Sequence, residues 1–123
     1  MPLDTMPAQV IDKTAEDYAK IFKADGLKTN QIRNFYSAIT RLRQGFVEAK
    51  ETFTPQLERE LVLLKPKLAY SAGRQKAVRA HFYEFMKKYI DEVLAASNKK
   101  EAMNNFFALV ESVVAYHKFY GGE

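Results

Sequence analysis

Arg33, Ser37 and Arg41 fall on one i, i+4, i+8 line, so a helix through them sets two guanidinium groups and a hydroxyl along one edge. Projection at about 100° per residue places Lys76, Arg79, Tyr83 and Lys87 on a second line, roughly 16 Å long. Cations and hydroxyls in a row, without convergence on a point, suit contact with successive phosphates of a nucleic-acid backbone and carry no base specificity. Lys65-Pro66-Lys67 adds a third candidate, because a helix beginning at Pro66 would point free amides at an anion held by the two lysines. For each group the plain alternative is a solvated helix face.

Catalytic chemistry finds less to work with. His117 projects into the middle of an apolar arc, which suits a hydrogen-bonded core histidine better than a general base. His81, the other of the two histidines, has no HExxH-type partner and no acids spaced as metal ligands. There is no Walker A loop, GxGxxG turn or GxSxG elbow. With no cysteine in the chain, disulfides, thiol nucleophiles and thiolate zinc sites are excluded. No catalytic residue, metal ligand or cofactor site is assigned. Arg43 is the one base that projects to the apolar side of its helix, where it would snorkel, pair with an acid or reach across an interface. An all-helical mutase of the chorismate type, which encloses an anion with inward-pointing bases, stays open mainly on that residue.

The charge is directional. Residues 59–88 hold eight bases against two acids, a net of +6, so in a chain of net charge +4 the remainder carries −2. Such a block attracts phosphates, anionic lipid or an acidic protein. At 123 residues, 47% of them hydrophobic, the chain is long and apolar enough for one cored domain, and disordered or fibrous classes do not fit. No apolar run approaches the ~18 residues of a membrane span, and the first ten residues are acidic and broken by Pro2 and Pro7, unlike a signal peptide. A cytoplasmic location is expected.

Helices must position these side chains. Thr14 and Asp17 read as a capping-box-like start to a short first helix with Tyr18, Ile21 and Phe22 on one stripe, ended by Gly26. Thr29 can cap a second, along which Ile32, Phe35, Tyr36, Ile39, Leu42 and Phe46 recur at spacings of three and four. Thr54-Pro55 opens a third, with Leu57, Leu61 and Leu64 on one side and a break or kink expected at Pro66, where a further stretch through Leu68 and Tyr70 can begin. Val78, Phe82, Phe85, Met86, Tyr89 and Val93 line the next, stopped by Ser97-Asn98. Asn98 and Glu101 then cap a last helix, apolar over about half its circumference, which runs to Gly121-Gly122. That wide apolar face also supports a protein-only adaptor. No segment alternates as a strand does. The expected fold is all-α, a compact bundle of about five or six helices over residues 14–123, preceded by a flexible arm at residues 1–13.

Three segments carry a resemblance. Thr29-Asn30-Gln31-Ile32-Arg33-Asn34-Phe35-Tyr36, then Leu63-Leu64-Lys65-Pro66-Lys67-Leu68-Ala69-Tyr70-Ser71-Ala72-Gly73-Arg74, then Val114-Ala115-Tyr116-His117-Lys118-Phe119-Tyr120-Gly121-Gly122 resemble, in the same order, the small subunit of the type III-A CRISPR effector, the Csm complex. The likeness spans nearly all of the chain from Thr29 to Gly122, and the middle block is its most specific part. Asn30 and Asn34 depart from the pattern, where a small hydroxylic and a basic residue are more usual, and Ser71 is a milder departure. The resemblance implies a helical bundle whose copies stack into a short filament along the groove where guide RNA pairs with target RNA. It also implies partners in the large subunit and the backbone subunits, which carry the catalytic activities, and no membrane or small-molecule substrate. Arg33, Lys65, Lys67 and Arg74 match the family's basic motif residues and are thereby implied as RNA-backbone contacts; Arg41, Lys76 and Arg79 join them from helical projection alone. A guide-directed complex takes its sequence information from base pairing, so its protein surfaces need only read backbone and shape.

Overall fold

The computed structural model describes residues 2–121, and all regular structure among them is helical, as the periodicity predicts. Five α-helices follow in order: α1 (Ala8–Ala24), α2 (Thr29–Glu48), α3 (Pro55–Arg74), α4 (Tyr83–Ala95) and α5 (Lys99–Phe119). A 3₁₀ turn at Leu3–Thr5 precedes them, and a π-helical turn at Val78–Phe82 leads into α4.

Local chemistry accounts for most of the ends. Thr54 accepts a hydrogen bond from the Leu57 amide at 3.2 Å ahead of Pro55 at the first helical position, and Asn98 accepts from the Glu101 amide at 3.1 Å. α1 closes in a Schellman turn, with Gly26 at φ +81° and the Leu27 and Gly26 amides bonded to the Phe22 and Lys23 carbonyls. α2 closes the same way without a glycine: Lys50 and Glu51 sit at φ +56° and +58°, and the Glu51 amide donates to Phe46. Thr29 is the first residue of α2, and the Lys28 amide ahead of it donates to the Gln31 side chain at 2.8 Å.

Three expectations are corrected. The first helix starts at Ala8 behind Pro7, six residues before Thr14, so the segment read as a flexible arm is packed: Leu3, Met6 and Ile11 are buried. Asn105 of α5 donates to the Leu3 carbonyl at 2.8 Å, and Asp4 accepts from the Asn98 amide at 3.1 Å. Pro2 and Pro7, and the small Ala15 and Ala19 on the buried face, hid this contact. Pro66 does not break α3, which runs through it from Pro55 to Arg74. Pro66 and Val62 are both exposed, so water can satisfy the Val62 carbonyl that loses its partner, while Leu57, Leu61, Leu64, Leu68 and Ala72 hold one buried face on both sides. Finally, the Tyr83 amide bonds to the Val78 carbonyl five residues back, so the 100° projection through Lys76, Arg79, Tyr83 and Lys87 does not hold across Val78–Phe82.

α5 is central. Asp12 and Glu16 of α1 meet Tyr116 and Tyr120 of α5 in register, so these two helices run parallel. Arg43, Phe46 and Glu51 meet Glu111, Phe107 and Asn104, so α2 runs antiparallel to α5. Phe22 packs edge-on against Phe82 and Phe85, centroids 5.3 Å apart in both pairs, joining α1 to the π turn and α4. His117 is buried on α5, as its position in the apolar arc suggests, with Nε2 2.7 Å from the Leu27 carbonyl. Among the described residues no helix is long and apolar enough to cross a membrane.

Candidate nucleic-acid interface

α2 and α3 pack antiparallel and leave a long cleft open to solvent between them. Its middle is a groove of about 500 Å³ lined from α2 by Arg41, Gln44 and Glu48 and from α3 by Glu60, Leu63 and Lys67. Farther along, Asn34 of α2 faces Tyr70, Ser71 and Arg74 of α3 across a depression of about 400 Å³. At the opposite end a Cβ on Gly45 would lie 3.3 Å from the Leu57 side chain, so that leucine packs directly on the glycine backbone there.

The spacing explains which side chains reach this cleft. On α2 the buried face is Ile32, Ile39, Leu42 and Phe46, which leaves Arg33, Ser37 and Arg41 exposed on the neighbouring line. On α3 Leu57, Leu61, Leu64 and Leu68 turn inward and Lys67 and Arg74, two turns apart, follow the rim. Arg41 and Lys67 thus share one groove and Arg74 continues it. Arg33 lies two turns before Arg41 on its helix, exposed. Ser37 is on the line but donates its proton to the Arg33 carbonyl at 3.1 Å, so only its oxygen lone pairs face outward.

The other sequence candidates go elsewhere. Lys65 pairs with Asp91 of α4 and is the least exposed of these bases. Because Pro66 sits inside α3, no free amides stand beside it and the helix-terminus anion site does not form. Lys76 and Arg79 are exposed but follow the turn at Gln75, beyond the end of the cleft. Arg43, the residue that projected toward the apolar side, pairs with Glu111 of α5.

Charge varies along the cleft. Glu48 and Glu60 line the end where α2 finishes and α3 starts, each bonded to a glutamine of its own helix, Gln44 at 3.3 Å and Gln56 at 3.0 Å. Among the described residues the far end has no carboxylate in its lining. A phosphate chain is therefore attracted most strongly from the Arg41–Lys67 pair toward Arg74. Tyr70, which reads in the sequence as part of an apolar stretch, is 66% exposed there, and Arg74 Nη1 donates to its hydroxyl at 3.1 Å. The i, i+4 spacing of tyrosine and arginine was the available signal.

On the opposite side of the bundle, the Tyr116 phenol donates to Asp12 and is pushed up to about 12 by that bond, and Tyr120 is raised by its bond to Glu16 at 2.5 Å. Among the described residues no three His, Cys, Asp or Glu side chains form a group that could hold a metal ion.

Comparison with known proteins places this geometry. A family model described as Csm2 Type III-A matches residues 5–123. The CRISPR system Cms protein Csm2 of Enterococcus italicus is 34% identical over 100 residues, covering 78% of this chain and 69% of that protein. Its counterpart from Streptococcus thermophilus is 33% identical over 97 residues, covering 79% and 75%. No solved structure matches the chain. The match begins at the last residue of the 3₁₀ turn and runs through all five helices, including the residues that line the cleft, and the chain belongs to the Csm2 family, the small subunit of the type III-A CRISPR complex.

Proposed function

We propose that this chain is a non-catalytic subunit of a cytoplasmic, RNA-guided type III-A complex, whose copies stack in a filament and lay the α2–α3 cleft along the backbone of the guide RNA and target RNA. The observation that carries the reading is the row of outward bases without carboxylate partners among the described residues: Arg41, Lys67 and Arg74 along one cleft of two antiparallel helices, with Arg33 exposed two turns before Arg41. Such a row neutralises successive phosphates and reads no base edges, which is what a complex that takes its specificity from base pairing requires. Lys76 and Arg79 extend the positive surface past Gln75. Lys65 serves mainly to tie α3 to α4 through Asp91. The open cleft and the pairing of Arg43 with Glu111 weigh against a mutase-like site, which would need enclosed cations. Partner copies and the large and backbone subunits would use other faces; the outer side of α3, where Val62 stands exposed beside Glu58 and Arg59, is available to them.

The test is RNA affinity as a function of salt. Four phosphate contacts on a single strand predict a fall of roughly 50-fold between about 50 and 200 mM salt, with little dependence on sequence. Arg41→Ala and Lys67→Ala each lower the logarithmic salt slope by about 0.7, and Lys65→Ala lowers it less. Binding indifferent to salt, or selective for one sequence, overturns the backbone reading. Protection of the Arg59–Val62 face by a partner protein, with the cleft untouched by RNA, favours the adaptor instead.

A further inference from the structure

The two halves of the α2–α3 cleft differ in kind. The middle groove is lined by long charged side chains of both signs, whereas the depression at the far end is lined by Asn34, Phe35, Tyr70, Ser71, Arg74 and Gln75. At about 400 Å³ it has the size of a small-ligand site. A phosphate needs cations and hydroxyls. It can also use amide donors such as Asn34 and Gln75, but it has no use for the exposed tyrosine ring, and the ring is what distinguishes this end.

The ring is held in place. Arg74 bonds to the Tyr70 hydroxyl at 3.1 Å and its guanidinium carbon lies over the ring, 5.5 Å from the centroid, so one side chain restrains the phenol at its tip and over one face. Phe35, half-buried, packs on Phe82 with centroids 5.5 Å apart and gives the depression a fixed apolar wall. Asn34 and Gln75 are exposed, and their side-chain amides have no hydrogen-bond partner among the described residues. Each amide presents a donor and an acceptor, and turning it over exchanges the two. A flat aromatic surface with such amides beside it matches the face and the edge of a heterocycle.

We propose that this end of the cleft takes an unpaired nucleobase, stacked on Tyr70, with the Asn34 and Gln75 amides on its edge and Arg74 on the adjoining phosphate. The site rests on the reading that the neighbouring groove holds RNA backbone, and adds a base to it. Because the amides can present either polarity, the site tolerates every base.

The experiment compares two ten-residue probes on the full chain at one salt concentration: oligouridylate, and an abasic ribose-phosphate strand of equal length and charge. The unaltered protein should bind oligouridylate about tenfold more tightly, the scale of one base–aromatic stack. Tyr70→Ala should bring the ratio to about 1 while leaving the abasic strand's affinity and salt dependence unchanged, and Tyr70→Leu, which keeps apolar bulk without an aromatic face, should do the same. Tyr70→Phe should retain most of the ratio, and Lys67→Ala should weaken both probes equally. As Tyr70 is exposed, the melting curves of these variants should coincide with that of the parent. A parent that does not distinguish the probes, or a ratio that survives Tyr70→Ala, overturns the base site and leaves the backbone reading standing. A parent that binds neither probe removes both.

Discussion

Tyr116 and Tyr120 stand one turn apart on α5 and donate to Asp12 and Glu16, one turn apart on α1. The bond to Asp12 lifts the Tyr116 phenol from 10.0 to about 12, and burial lifts Tyr89 to about the same value. Both pKa values are higher folded than unfolded, so the stability these phenols contribute is fully present below pH 10 and lost as the pH rises toward 12. Thermal unfolding followed from pH 9 to 12 should show a midpoint that falls steeply above pH 10. Tyr116→Phe should lower the midpoint at neutral pH and make the alkaline fall shallower, and an unchanged fall would show that the α1–α5 bond contributes nothing. The residue scale is also where the sequence was least sufficient. Lys65 and Lys67 are alike in type and two positions apart, yet one meets Asp91 and the other lines the groove with Arg41, because α3 turns by about 200° between them. The basic motif was visible; the sorting of its members needed the positions of α2 and α4. His117 was legible because a histidine within an apolar arc has to find a buried partner, here the carbonyl of Leu27.

At the scale of the element, α2 ends with two residues in left-handed backbone, Lys50 and Glu51. Glu51 is tied to Asn104 of α5 at 2.8 Å, but the Lys50 side chain is exposed, so its conformation costs roughly 1 kcal/mol that a glycine would avoid. Lys50→Gly should therefore raise the urea midpoint by an amount equivalent to about 1 kcal/mol, with RNA affinity changed only by the loss of one distant charge. A lower midpoint would mean that the turn is set by other contacts. The helices were legible wherever apolar spacing and caps agreed, as at Ile32 to Phe46 and at Thr54 and Asn98. They were misread where a single residue's local preference was taken as decisive. Pro66 lies on the wet side of a helix whose leucines are continuous, and the π turn before Tyr83 leaves no mark that a fixed 100° projection can detect.

For the whole molecule, helix number and fold class follow from the apolar pattern, but the arrangement does not. Nothing in the spacing of α1 indicates that its partner is α5, or that the two run parallel with Leu3, Met6 and Ile11 sealed beneath. Phe106, Leu109 and Val113 of α5 are buried almost completely, so the core has no centre without that helix. A chain cut after Ala96 should lack a cooperative unfolding transition and be digested rapidly by protease, and retention of a sharp transition would show that α1–α4 form a stable unit. The bonds from Asp4 to Asn98 and from Glu16 to Tyr120 join residues 94 and 104 positions apart. Closing loops of that length is slow compared with the local pairing of an up-and-down bundle, so the rate of folding is set by the return of α5 to α1. While the chain is being made, α1 leaves the ribosome long before the surface that covers it. The newborn subunit therefore passes through an interval with its apolar stripe bare, when a chaperone or a partner already in place could take hold of it.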